Sequence, residues 1–140
     1  MRFFKSLLFV FCCLLSTCPL ACADSKPVAA SDSKGKVLVV FIYDPHCQFT
    51  CDKVRPTVRE VQSKYAQSVS YLEIDTGDEH SAQSRALAEK NGVLWFYNDN
   101  LKFVPVVGFF SADRKCIKYL TGPKTKNVYQ AALERAMKAR

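Results

Sequence analysis

The fold of this chain is decided by residues 37–51, which read VLVVFIYDPHCQFTC. The first seven, Val37–Tyr43, form an uninterrupted aliphatic and aromatic run, which is typical of a central strand buried on both faces. The dipeptide Asp44-Pro45 ends the strand, because proline supplies no backbone N–H to a ladder. Two cysteines, Cys47 and Cys51, follow where the strand gives way to a helix.

These two cysteines have the arrangement of an attacking thiol and a resolving thiol. Cys47 is expected at the helix N-terminus, where backbone N–H groups and the helix dipole stabilise a thiolate. His46 beside it adds positive charge, so we predict Cys47 as the nucleophile and His46 as a supporting residue. Cys51 lies one turn into the helix, more shielded and within disulfide range if the loop closes correctly. Exchange through a mixed disulfide requires such a pair.

The rest of the domain alternates strand and helix patterns. After the strand at 37–43 we predict, in order, a helix over about 50–66, a strand at 69–74, a helix at 81–90, an irregular aromatic-rich segment at 93–104, a hairpin of strands 106–110 and 116–120, and a closing helix whose apolar face is Tyr129, Ala132, Leu133 and Ala136. A βαβ unit followed by ββα makes a mixed sheet with helices on both faces. The sequence therefore predicts an α/β domain.

Residues 1–23 are expected to be a secretory signal peptide. A positively charged start precedes an apolar run at 7–15 that is too short to span a bilayer comfortably. Small residues in Ala21-Cys22-Ala23 predict cleavage before Asp24. We therefore expect a periplasmic or otherwise exported protein.

The small, polar residues 24–36 indicate a flexible linker, and the domain is expected at 37–140. Two alternatives to a cleaved signal peptide stay open. One is an uncleaved membrane anchor. The other is a bacterial lipoprotein with its lipid on Cys18 or Cys22, which would hold the domain at a membrane surface.

Composition limits the function further. A length of 140 residues supports one domain, which excludes enzymes with separate substrate and cofactor modules. The net charge of +7 is modest and shows no basic stripe interleaved with aromatics, so nucleic-acid binding is not expected. Three of the seven cysteines lie beyond the signal peptide, which is too few for a disulfide scaffold. The third of them, Cys116, is expected to be a small buried apolar residue.

The chain resembles the thioredoxin superfamily over nearly all of residues 37–138. The resemblance rests on the buried strand, on the cysteine pair at the following helix, and on matching positions further along, which are Pro56, Ile74-Asp75, Lys90-Asn91-Gly92-Val93, Val104-Pro105 and Gly122. It implies the three-layer thioredoxin fold, in which helices flank a mixed central sheet. It also implies that Pro105 is a cis-proline that packs against the cysteine pair and shapes a groove for extended substrate.

The activity implied by this resemblance is that of a thiol–disulfide oxidoreductase or disulfide isomerase. Cys47 and Cys51 would form its redox-active disulfide, and the chemistry needs no cofactor. Its partners would be cysteine-containing exported proteins and a redox partner protein.

The sequence departs from the superfamily's pattern in three ways. Three residues, Gln48–Thr50, separate the cysteines instead of two, so the reduction potential does not carry over. Phe41 stands where thioredoxins carry a buried acid that helps to deprotonate the second cysteine. The segment between Val93 and Pro105 is longer than usual, and we expect its aromatic residues 95–97 to be exposed, covering the site or binding a partner.

Two other functions stay open for the cysteine pair. The site also resembles that of the Sco-type copper chaperones, which hold copper with two cysteines separated by three residues and with a distant histidine. Soft thiolates suit Cu(I), so Cys47 and Cys51 are alternative copper ligands. However, His80 falls at the start of the second helix rather than late in the chain. The second alternative is an inert disulfide, which would stabilise the fold only weakly because the loop it closes is so short.

Overall fold

The computed structural model describes residues 35–139. Its helices and strands are, in chain order, β1 (Val37–Tyr43), α1 (Gln48–Ser63), β2 (Val69–Asp75), α2 (Ser81–Lys90), α3 (Leu94–Asn100), β3 (Val106–Phe110), β4 (Cys116–Thr121) and α4 (Lys126–Lys138), with one 3-10 turn at Asp78–His80. The predicted signal peptide, its two candidate lipid-bearing cysteines and most of the predicted linker lie outside the described residues.

The four strands form one mixed sheet in the order β2-β1-β3-β4. β1 pairs parallel with β2 along its whole length and antiparallel with β3 on its other side. β3 and β4 pair antiparallel as the predicted hairpin, with a bulge between Phe109 and Phe110. The β1–α1–β2 unit and the hairpin confirm the predicted mixed sheet.

Helices cover both faces of this sheet. Val39 and Phe41 of β1 enter a core shared with α1 and α4, whereas Val40 and Ile42 enter a core shared with α2 and α3. Because alternate side chains of β1 enter two different cores, the strand is apolar at successive positions. The predicted α/β architecture with three layers is confirmed.

Residues 93–104 differ from the prediction of an irregular segment with exposed aromatic side chains. Seven of them form the helix α3. Phe96 and Tyr97 are only 1% and 4% exposed, so the prediction was wrong for them, whereas Trp95 keeps 50% of its surface exposed. Phe96 and Tyr97 come three and four residues after Val93, which is the spacing of side chains on one helix face.

Gly108 on β3 explains why an aromatic helix fits closely against the sheet. A β-carbon at this position would lie 2.7 Å from the Phe96 ring, closer than carbon atoms can pack. The ring therefore fills the space that a side chain of β3 would otherwise occupy. There it meets Phe110 edge to face, with ring centroids 5.1 Å apart.

Candidate active site

The segment from Asp44 to Cys47 connects the end of β1 to α1. The His46 N–H donates to the Asp44 carboxylate (2.7 Å), and the Cys47 N–H donates to the Asp44 carbonyl (3.0 Å). An aspartate that folds back onto the backbone in this way is a common turn-former. Helix α1 begins at Gln48, two residues before the predicted start, so Cys47 is the helix N-cap. The turn thus presents Cys47 at the positive end of the helix dipole.

The surroundings of the Cys47 thiol favour its thiolate. The Thr50 hydroxyl lies 2.7 Å from Cys47 Sγ and is the largest cause of a lowered Cys47 pKa, because it donates to the charged sulfur. The thiol of Cys51 acts in the same direction, and backbone N–H groups of Cys51 and Thr50 add smaller contributions. Burial opposes these effects. Cys47 is half-buried, so a substrate disulfide can reach its sulfur.

Cys51 lies in the opposite kind of surroundings. It is 1% exposed in the core between α1 and the sheet, and burial raises the pKa of its thiol to about 11. A backbone hydrogen bond with Asp44 lowers this pKa, whereas the neighbouring Cys47 raises it. Both cysteines are free thiols. The pair therefore combines a reactive outer thiol with a shielded inner thiol.

The side chain of His46 has different surroundings from that of Cys47. Its imidazole is exposed and forms no hydrogen bond or ion pair within residues 35–139. The hydrogen bonds that lower the pKa of Cys47 come from Thr50 and Cys51, not from the His46 ring. That His46 tunes the Cys47 thiolate stays a prediction.

Pro105 lies at the same end of the sheet as the cysteine pair. The Val104–Pro105 peptide bond is cis, as the resemblance implies. The next residue, Val106, pairs with Ile42 near the end of β1, just before the turn that carries Cys47. The Pro105 carbonyl accepts a hydrogen bond from the Gly122 N–H (2.8 Å), which ties this loop to the end of β4. The substrate-binding role of Pro105 stays a prediction.

Thr50 is a site residue that the sequence reasoning missed. Thr50 comes three residues after the N-cap Cys47, and side chains three residues apart on a helix are neighbours. Knowing the true start of α1 would have identified it, because the side chain at that position faces the N-cap.

Phe41 occupies the position where the resemblance to thioredoxins implies a buried acid. It is fully buried and stacks on Tyr43, with ring centroids 5.6 Å apart. The guanidinium of Arg55 lies over the Tyr43 ring, 4.5 Å from its centroid, and Arg55 Nε donates to Glu73 Oε2 (3.2 Å). The sequence reasoning also missed this cation. The sequence feature that could have identified Arg55 is its position four residues after Cys51, which places both residues on one face of α1.

Cys116 and His80 lie away from the cysteine pair. Cys116 pairs with Phe110, at the end of β3 opposite to Pro105. It is half-buried, and burial raises the pKa of its thiol, so its surroundings do not activate it. The His80 ring pairs with Asp75, Nδ1 to Oδ2 at 3.1 Å.

Within residues 35–139, no three His, Cys, Asp or Glu side chains cluster so that they could hold a metal ion. Copper binding by Cys47 and Cys51 stays a prediction that rests on two thiolates. None of the helices in this part of the chain combines the length and apolar character needed to cross a bilayer.

Replacing Thr50 by valine is expected to slow the alkylation of Cys47 at pH 7 by about three- to tenfold. The hydroxyl stabilises the charged sulfur, so its loss raises the pKa of Cys47 and moves the alkylation profile to higher pH. Iodoacetamide labelling from pH 5 to 10, read at the Cys47 peptide by mass spectrometry, measures this shift. The control is Thr57→Val, whose hydroxyl donates to the Lys53 carbonyl on the same helix. An unchanged Cys47 profile in Thr50→Val would contradict the assigned contact.

Comparison with known proteins links this geometry to a known fold. No protein-family model matches the sequence, and no curated protein matches it. Solved structures do match. A thiol:disulfide interchange protein of the thioredoxin family from Chlorobium tepidum aligns with 74% of this chain and 81% of its own, at 16% identity and a TM-score of 0.54.

Two further structures match over similar lengths. A secreted disulfide oxidoreductase of Mycobacterium tuberculosis aligns with 72% of this chain and 82% of its own, at 20% identity and a TM-score of 0.50. The complex of ferredoxin:thioredoxin reductase with thioredoxin f2 contains a chain that aligns over 74% of this chain and 80% of its own, at 25% identity and a TM-score of 0.52. The mixed sheet, the helices on both faces and these similarities together show that the chain has the thioredoxin fold.

Proposed function

We propose that this protein is an exported thiol–disulfide oxidoreductase or disulfide isomerase that acts on cysteines of other exported proteins. One observation carries the proposal: two thiols one helical turn apart have opposite electrostatic surroundings. The pKa of Cys47 is lowered by hydrogen bonds from Thr50 and Cys51, whereas burial raises that of Cys51 to about 11. An inert disulfide needs no such difference between its two sulfurs.

The reaction begins at Cys47. Its thiolate attacks one sulfur of a substrate disulfide, forms a mixed disulfide, and releases the other substrate sulfur as a thiolate. Cys51, after losing its proton to solvent, then attacks Cys47 Sγ. This second step releases the bound substrate sulfur as a thiolate and leaves a Cys47–Cys51 disulfide, so two electrons have passed to the substrate. The reverse sequence oxidises a substrate dithiol.

The high pKa of Cys51 supports isomerisation in particular. Attack by Cys51 requires its thiolate, and burial, the largest cause of its raised pKa, disfavours that thiolate in the mixed disulfide as well. The mixed disulfide on Cys47 therefore persists, and another thiol of the substrate has time to attack it. That attack returns Cys47 as a thiolate and creates a rearranged substrate disulfide with no net change in oxidation state.

Export and partners are part of the same proposal. The predicted signal peptide at 1–23 supports export, and a secreted Mycobacterium tuberculosis oxidoreductase has the same fold. A redox partner protein would restore the Cys47–Cys51 pair after each net transfer, and a thioredoxin of this fold is known in complex with its reductase.

Replacing Cys51 by serine is expected to trap substrates as mixed disulfides on Cys47. Serine cannot resolve the intermediate, so a disulfide-bonded test peptide should remain attached to the protein. Non-reducing gels and intact mass spectrometry measure the adduct, with Cys116→Ser in place of Cys51→Ser as the matched control. Failure of Cys51→Ser to accumulate an adduct at Cys47, under conditions where the parent protein turns the peptide over, would refute the proposed roles.

A further inference from the structure

Arg55 is a half-buried cation one turn beyond Cys51 on α1, with 26% of its side chain exposed. Residues four apart lie on the same helix face, and helical side chains tilt toward the N-terminus. The Arg55 side chain therefore leans toward the turn that carries Cys51. The exchange steps described above, which involve Cys47 and Cys51, do not use this residue.

The guanidinium of Arg55 is held between α1 and the sheet. It lies 4.5 Å from the Tyr43 ring centroid and 5.6 Å from that of Phe41. Its Nε donates to Glu73 Oε2 (3.2 Å), and its Nη1 contacts Asp52 Oδ1 (3.4 Å). These contacts hold the charge against Phe41, a residue of the same core in which Cys51 is buried.

Glu73 is the carboxylate whose negative charge Arg55 offsets. It stands beside Phe41 in the register of β1 and β2, so its side chain is on the α1 side of the sheet, and it is 16% exposed. Arg59 also donates to it, Nε to Oε1 at 2.7 Å, and is itself 52% exposed. Without Arg55, a half-screened negative charge would face the core that holds Cys51 and would oppose formation of a second anion there.

The charged and titratable side chains near Arg55 come from α1, β1 and β2. They are Cys51, Asp52 and Arg59 on α1, Tyr43 on β1, and Tyr71, Glu73 and Asp75 on β2, the last of which acts on the same Tyr43 phenol as Arg55. Burial raises the pKa of the Tyr71 phenol far above its usual range, and burial also raises that of Tyr43, so both rings stay neutral. Asp52 is 63% exposed, and solvent screens it. Arg55 is thus a half-buried cation on the same face of α1 as the resolving thiol, one turn away.

We propose that Arg55 is a positioning residue for the resolving step, and that its charge stabilises the Cys51 thiolate as that sulfur attacks Cys47 Sγ. This inference rests on the proposed function, because it concerns the same mixed disulfide. The step is balanced as before: the Cys51–Cys47 bond forms, the bond from Cys47 to the substrate breaks, and the substrate sulfur leaves as a thiolate. Arg55 supplies charge only and exchanges no proton.

Two observations agree with this role. Burial is the largest cause of the raised pKa of Cys51, and the charge of Arg55 acts against it. Phe41 brings no charge to the position where thioredoxins place an acid, whereas the guanidinium of Arg55, on the helix side, lies 5.6 Å from the centroid of the Phe41 ring.

The test measures the pH profile of Cys51 alkylation in a Cys47→Ser background, read at the Cys51 peptide by mass spectrometry. Arg55→Gln should move the profile to higher pH, whereas Arg55→Lys, which keeps the charge, should preserve most of it. Glu73→Gln should move it to lower pH, since it removes the opposing charge. Arg59→Gln is the matched control, because it breaks a second bond to Glu73 one turn farther from Cys51 and should cause a smaller shift than Arg55→Gln.

With Cys47 present, Arg55→Gln should also prolong the mixed disulfide about three- to tenfold at neutral pH. A folded Arg55→Gln protein with an unshifted Cys51 profile would overturn the inference. If Arg55→Gln does not fold, an unshifted profile in Glu73→Gln overturns it instead. The profile reports the local charge whether or not the protein exchanges disulfides. A shifted profile without exchange therefore refutes only the proposed function, and exchange with an unshifted profile refutes only the role of Arg55.

Discussion

Replacing Cys47 by serine is expected to abolish thiol–disulfide exchange, lowering the rate by at least about 1,000-fold. A serine hydroxyl stays protonated at neutral pH and does not attack disulfide sulfur. The second thiol cannot substitute for it, because Cys51 is buried and its pKa is about 11. The measurement is the rate of reduction of a disulfide-bonded fluorescent peptide, with glutathione to regenerate the dithiol.

The matched control for this experiment is Cys116→Ser. Cys116 is the other half-buried cysteine within residues 35–139, and it lies at the far end of β3 from the cis-proline. Its replacement should leave the rate within about twofold, because burial raises the pKa of its thiol by more than the backbone hydrogen bond with Lys118 lowers it. Full activity in Cys47→Ser, or loss of activity only in Cys116→Ser, would contradict the assignment of the nucleophile.

Replacing Phe41 by alanine is expected to reduce the free energy of unfolding by about 3–5 kcal/mol. The ring is fully buried, stacks on Tyr43 and lies beneath the guanidinium of Arg55, so its loss leaves a cavity that the rigid central strand cannot close. Chemical denaturation followed by circular dichroism measures the change. Water entering the cavity would also weaken the burial that raises the pKa of Cys51, so its alkylation profile should move to lower pH.

The same substitution at an exposed phenylalanine provides the control. Phe49 lies between the two cysteines and is 75% exposed, with Lys53 Nζ 3.8 Å from its ring centroid. Phe49→Ala should change the free energy of unfolding by no more than about 1 kcal/mol. Equal losses in the two variants would show that Phe41 does not have the packing role assigned to it.

The sequence predicted most of the sheet because its signals are local. Val37–Tyr43 has the same bounds in the prediction and in the structure, since a strand buried on both faces must be apolar throughout. Helix α3 was missed because polar residues at 98–100 suggest a loop, and because its fit depends on Gly108 of a strand that follows later in the chain. Contacts between distant segments leave little trace in either segment alone.

The candidate site was predicted in part for the same reason. The positions of Cys47 and Cys51 follow from the boundary between a strand and a helix, which the sequence marks clearly. Thr50 depends on the first residue of α1, and helix ends are defined less sharply by sequence than helix interiors. Arg55 depends on Glu73 of another strand, so its place near the site follows only from the packed structure.

The central claim is that Cys47 and Cys51 form a redox-active pair. Its most direct test is a titration of the purified, metal-stripped protein in glutathione buffers, with the state of each cysteine read by alkylation and mass spectrometry. We predict one reversible two-electron transition between dithiol and Cys47–Cys51 disulfide, with a midpoint between about −120 and −270 mV, while Cys116 remains a thiol. A pair that stays wholly reduced or wholly oxidised across this range would contradict the account.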